Sequence, residues 1–168
     1  LACIIITPIL IPLLTRLKFG QSIREEGPAW HQKKSGTPTM GGLAIICAVV
    51  FGSLAAYFIS GNFGVTEISL VVGSLLFGII GFADDYIKVV KKRNLGLTSK
   101  QKFLAQLIAA VVVTVFMSHT GVIGGEIVVP FVKASIDIGL WTIPLAVFVQ
   151  LAVVNSVNLT DGLDGLAS

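Results

Sequence analysis

The chain has 168 residues, of which 54% are hydrophobic and 12% charged, with a formal net charge of +3 and a mean hydropathy of +0.91. A soluble domain carries about twice that proportion of charge, so a disordered chain, a secreted disulfide scaffold and an ordinary cytosolic enzyme are excluded, and a helical integral membrane protein remains. Basic residues in membrane proteins follow topology, so the positive charge implies no nucleic-acid partner.

Charge-free stretches mark five spans in chain order: residues 1–15, with Pro8 and Pro12 placed to kink the helix, then 40–59, 68–83, 103–118 and 140–157. About 20 apolar residues cross a bilayer core, and about 16 to 18 suffice when flanking residues complete the span. The first stretch lacks a basic n-region and reads as a truncated span rather than a signal peptide, and the whole as one membrane domain cut from a longer protein. Gly52, Gly73, Gly78 and Gly81 would weaken a soluble helix but permit close packing in a membrane. Residues 126–137 hold Ile127, Val128, Val129, Phe131 and Val132 around Pro130. They suggest a short β-ribbon on the outer face, which Pro130 would confine to an edge. Cys3 and Cys47 lie in apolar runs without metal-ligand spacing and read as small buried hydrophobes.

The basic residues orient the spans. Arg16, Lys18, Arg24, Lys33 and Lys34 follow the first span, and Lys88, Lys91, Lys92, Arg93, Lys100 and Lys102 follow the third. Lys133 is the one remaining. The positive-inside rule therefore places residues 16–39, 84–102 and 158–168 on the cytoplasmic side.

Four polar clusters remain, all on that side. Residues 31–42 (HQKKSGTPTMGG) join lysines and small hydroxyls to a loop re-entering a helix, a ready anion site, although a basic membrane-flanking loop also explains them. Asp84 and Asp85, read as the C-terminal end of the third span, repel each other and the negative end of the helix dipole. A divalent cation or a lysine must offset this, and Lys88 has the spacing to reach both. In residues 155–165, Asn155, Asn158, Asp161 and Asp164 recur every third position as one polar stripe, and Gly162 and Gly165 let a ligand approach the backbone. Amides with carboxylates suit a base edge and ribose, or a metal-bound pyrophosphate. The basic run 88–102 is explained by topology, with phosphate binding as a second role, and Thr98 or Ser99 caps the fourth helix. His119 lies on the opposite side and reads as structural. The clusters together suit a polyanionic ligand held by a divalent metal and lysines, and a second partner embedded in lipid.

HQKKSGTPTMGG, Asp84-Asp85-Tyr86-Ile87-Lys88 and residues 155–167 (NSVNLTDGLDGLA) resemble the motifs of the polyprenyl-phosphate N-acetylhexosamine-1-phosphate transferases, in the family's order and across essentially the whole chain. The GTPTMGG form resembles the muramoyl-pentapeptide branch. The resemblance implies a ten-helix, Mg2+-dependent enzyme of the bacterial inner membrane, often a homodimer. Such an enzyme transfers phospho-MurNAc-pentapeptide from UDP-MurNAc-pentapeptide to undecaprenyl phosphate, giving lipid I and UMP in peptidoglycan synthesis. It further implies catalytic or metal roles for Asp84 and Asp85, phosphate contacts for Lys34, Thr39, Lys88 and Lys100, and a uridine–diphosphate site lined by Asn155, Asn158, Asp161 and Asp164. The family's further essential aspartate and its histidine-rich motif belong to a second half and are missing here, so this chain by itself is expected to be inactive. A sister transferase using UDP-GlcNAc, a cation-coupled transporter and a non-catalytic membrane scaffold are the competing readings. Acids at span ends on one side, rather than mid-span, argue against the transporter.

Overall fold

A computed structural model describes residues 2–16, 41–91, 96–129 and 134–160. The described chain is helical apart from one small ribbon: α1 (Ala2–Arg16), α2 (Gly42–Ser60), α3 (Val65–Val90), α4 (Ser99–His119), β1 (Glu126–Val129), β2 (Ala134–Asp137) and α5 (Thr142–Thr160). Four helical stretches, 42–60, 65–88, 99–119 and 139–160, are long and apolar enough to cross a membrane. They coincide with the second to fifth charge-free stretches. The first stretch forms α1, which runs 15 residues with Pro8 and Pro12 both inside it.

Two compact units divide the chain, residues 1–105 and 106–168. In the first, α2 packs against both α1 and α3. Gly61 ends α2 in the left-handed conformation at φ 70°, and its N–H donates to the Tyr57 carbonyl at 2.8 Å. This glycine cap stops the helix and lets α3 turn back after four residues. Where α2 meets α3, a side chain at Gly78 would run into Ile46, so the small residue does there what the sequence suggests. Phe58, Ile59 and Ile79 point outward, as lipid-facing residues do when tails are as apolar as leucine. Hydroxyls inside these apolar helices bond back to their own backbone. Ser69, 2% exposed, donates to the Val65 carbonyl at 2.7 Å, and Ser74 to that of Leu70 at 2.7 Å.

In the second unit, α4 buries a stripe of Gln106, Ala109, Ala110, Val113 and Thr114. Two polar side chains of α5 reach it. Gln150 Nε2 donates to Thr114 Oγ1 at 2.7 Å, and Asn155 Nδ2 to Gln106 Oε1 at 3.1 Å. The earlier residue of α4 pairs with the later residue of α5, so the two helices run antiparallel.

Between them β1 and β2 pair antiparallel, with Glu126 opposite Asp137 and Val129 opposite Ala134. The ribbon falls within the expected residues 126–137, as strands 126–129 and 134–137; residues 130–133, and with them the expected edge role of Pro130, lie outside the described residues. Asp137 Oδ1 accepts the Gly139 N–H at 2.8 Å, and Gly139, at φ 54°, opens a single 3₁₀ turn into α5.

Candidate functional site: a carboxylate–lysine cluster at the end of α3

The third helix is longer than its charge-free stretch. It runs 26 residues and continues past Ala83, so Asp84 and Asp85 stand inside the helix, not at its last residues. The expected dipole penalty is correspondingly weaker, because that effect fades within one turn. From Val65 to Asp84 the helix rises about 29 Å at 1.5 Å per residue. That is one hydrocarbon thickness, which puts the acidic pair at the far membrane boundary.

One turn later Lys88 answers both acids. Its Nζ lies 2.9 Å from Asp84 Oδ2 and 2.8 Å from Asp85 Oδ1, as the three- and four-residue spacings require. A second lysine, Lys102 of α4, lies 3.4 Å from Asp84 Oδ2. The other oxygen of Asp84 accepts the Leu97 backbone N–H at 2.8 Å. Asp84, 6% exposed, is thus a buried carboxylate with charged or polar partners on both oxygens, the condition under which burial of charge is tolerated.

Asp85 differs. Its side chain is 34% exposed, and among the described residues nothing bonds to its Oδ2. Phe82 and Tyr86 stack one helical turn apart beside it, centroids 5.8 Å and planes 20° apart. Consecutive residues are 100° apart around a helix, so α3 turns Asp84 inward toward 96–102 and leaves Asp85 more exposed.

The segment after α3 is held by its own chemistry. Thr98 Oγ1 accepts the Gln101 N–H at 3.3 Å, and Gln101 Oε1 accepts the Thr98 N–H at 3.1 Å. This is a reciprocal capping box and makes Thr98, rather than Ser99, the cap of α4. It also sets the rotation of the first turn, on which Lys102 points to Asp84 while Lys100 is exposed.

The sequence-predicted residues are thus distributed unevenly. Asp84, Asp85 and Lys88 come together as expected. Lys100 does not join them. Lys102, one of the loop charges that topology already explains, takes that place, and so does the Leu97 amide. A signal for Lys102 was available: it follows the T-x-x-Q cap by one residue, so its face of α4 could be read. Asn155 and Asn158 lie on the last turns of α5, where Asn155 already bonds to Gln106 and to the Leu151 carbonyl. Lys34, Thr39, Asp161 and Asp164 lie outside the described residues. Among the described residues no group of three or more His, Cys, Asp or Glu converges to hold a metal ion.

Apolar helices long enough to cross a bilayer, one of them carrying an acid–lysine cluster near its end, define a membrane-embedded protein. The sequence profile of glycosyl transferase family 4 matches residues 67–168, and signature 1 of the phospho-N-acetylmuramoyl-pentapeptide-transferases matches residues 34–46. The chain belongs to glycosyl transferase family 4. It is similar to phospho-N-acetylmuramoyl-pentapeptide-transferases of Halalkalibacterium halodurans (50% identical over 165 residues, 98% of this chain and 50% of that protein) and Listeria monocytogenes serovar 1/2a (48% over 161 residues, 96% and 49%). The same name belongs to a similar protein of Caldanaerobacter subterraneus (50% over 158 residues, 94% and 48%). The chain spans about half the length of the curated relatives it matches.

Proposed function

We propose that this chain forms the acidic–basic part of an enzyme that transfers phospho-MurNAc-pentapeptide from UDP-MurNAc-pentapeptide to undecaprenyl phosphate, giving lipid I and UMP. The observation that carries the reading is the Asp84–Asp85–Lys88–Lys102 cluster at the end of a membrane helix, in a chain that also holds the signature at residues 34–46. The proposed working side is the cytoplasmic face of the inner membrane, which the alternation of basic loops supports, and the proposed assembly is a homodimer.

In this reaction an oxygen of the lipid phosphate attacks the β-phosphorus of the sugar nucleotide. The new P–O bond forms as the bond to UMP breaks. Both reactants are anions, so the enzyme's task is to neutralise charge and align them in line. A phosphate monoester has a second pKa near 6, so at pH 7 the nucleophile is largely dianionic already and needs no strong base. Lys88 and Lys102 bring two positive charges to that boundary, and Asp84 holds both in place. Mg2+ fits the same surface incompletely: it takes one or two carboxylates and completes its shell with phosphate oxygens and water, and Asp85, whose Oδ2 has no partner among the described residues, would hold it. When bound, the ion would offset pyrophosphate charge. Lys34, Thr39, Lys100, Asn155, Asn158, Asp161 and Asp164 are proposed to contact the uridine nucleotide and its phosphates.

The test is Mg2+-dependent UMP release by the full-length protein, with UDP-MurNAc-pentapeptide and with UDP-GlcNAc as donors. Turnover with the first and a loss of about 100-fold or more in Asp85→Asn are expected. Turnover with UDP-GlcNAc alone, or an unchanged rate in Asp85→Asn, overturns the reading.

A further inference from the structure

Gly96 lies directly against Asp84. A β-carbon built on Gly96 would collide with Asp84 Oδ1, and it would stand 2.6 Å from the Asp84 backbone oxygen and 2.9 Å from its carboxyl carbon. Elsewhere in this unit such a collision involves the tip of a flexible side chain, Ile46 at Gly78 or Glu67 at Gly64, which can swing away. At Gly96 one obstacle is the backbone of α3 itself. The next residue delivers the Leu97 N–H to Asp84 Oδ1 at 2.8 Å, and the chain then enters α4, which carries Lys102 to Oδ2.

We propose that Gly96 is a positioning residue: by lacking a side chain it lets the returning backbone close on α3, which locks the Asp84 rotamer and sets where Lys88 and Lys102 present their charge. Asp84 is then the anchor of the cluster, and Asp85 its outward-facing carboxylate. Any residue larger than glycine at 96 must push 96–97 away from α3. The Leu97 bond goes first, and the lysines lose their common acceptor geometry with it.

The kinetic half of this inference rests on the transferase reading, and the structural half does not. Both are tested on the full-length protein. In thermal unfolding, Gly96→Ala and Asp84→Asn are each expected to lower Tm, and the double variant to fall no further than the worse single one, since neighbouring effects that act through one contact do not add. Additive shifts, or no shift in Gly96→Ala, overturn the proposal, and this half stands whether or not any variant turns over. In UMP release, kcat per folded enzyme should fall about tenfold to 100-fold in Gly96→Ala, with KM for the UDP-sugar within about twofold. A lowered Tm with unchanged kcat would make Gly96 a stability residue alone and overturn the positioning role. Absence of turnover in the unmodified enzyme would sink the transferase reading and leave the Tm cycle to decide this one.

Discussion

At Asp84 three donors converge on two oxygens: the Leu97 amide on Oδ1, Lys88 and Lys102 on Oδ2. Its neighbour Asp85 shares Lys88 and stays partly exposed. Two identical residues adjacent in sequence therefore do different work, because 100° of helical rotation sends one into the protein and the other out of it. The capping box depends on residues as directly. Thr98→Ala removes the acceptor for the Gln101 N–H, and the expected loss is about 1 kcal/mol of stability, measurable by denaturant unfolding of the solubilised protein. Because the cap also orients Lys102, Thr98→Ala should weaken unfolding resistance more than Lys100→Ala, whose side chain is exposed. The pairing of Lys88 with both acids was legible in the sequence, since it follows from spacing on a helix. The Gly96–Leu97 contact was not: it joins residues 12 and 13 positions apart through a backbone bend that no periodicity announces.

Helices α4 and α5 are tied by amide and hydroxyl groups. Gln106, 2% exposed, and Thr114, fully buried, each meet a partner from α5 at 3.1 and 2.7 Å. Hydrogen bonds between membrane helices contribute about 0.6 kcal/mol on average and up to about 1.7. A double-mutant cycle of Gln106→Leu and Asn155→Leu should therefore show a coupling near that average, with Gln106→Leu alone costing more than the coupling because it leaves one of the two Asn155 amide hydrogens without its acceptor while the other keeps the Leu151 carbonyl. A coupling of zero would mean that the two side chains do not meet. At this scale the sequence was informative about existence and poor about ends. Hydropathy located the spans, yet placed the third one's end near Ala83, because a charge interrupts hydropathy without interrupting a helix. α3 carries on to Val90. The stripe of Asn155 and Asn158 was visible, but not that Asn155 faces a glutamine 49 positions earlier. The ribbon, by contrast, lies within the expected residues 126–137.

For the molecule as a whole, the alternation of charge makes a single statement about sidedness. Four residues, 61–64, join α2 to α3 and carry no Lys or Arg, whereas the boundary after α3 holds Lys88, Lys91, Lys100 and Lys102. Cysteine placed at Ser135 in the ribbon should react with an impermeant maleimide added outside intact cells. Cysteine placed at Lys100 should react only after the membrane is opened. The reverse pattern would invert the protein and remove the proposed cytoplasmic site with it. The membrane class and family were readable from three motifs and a composition.

The two polar rungs between α4 and α5 bear on how the protein enters its bilayer. Taken singly, α4 would present Gln106 to hydrocarbon, where no water bonds to it, and the Gln150 and Asn155 amides of α5 would keep only the Ala146 and Leu151 carbonyls of their own helix. Paired, the two helices give these side chains partners across the hairpin. Biosynthetic insertion of α4 should therefore wait for α5, with the ribbon as the link on the far side.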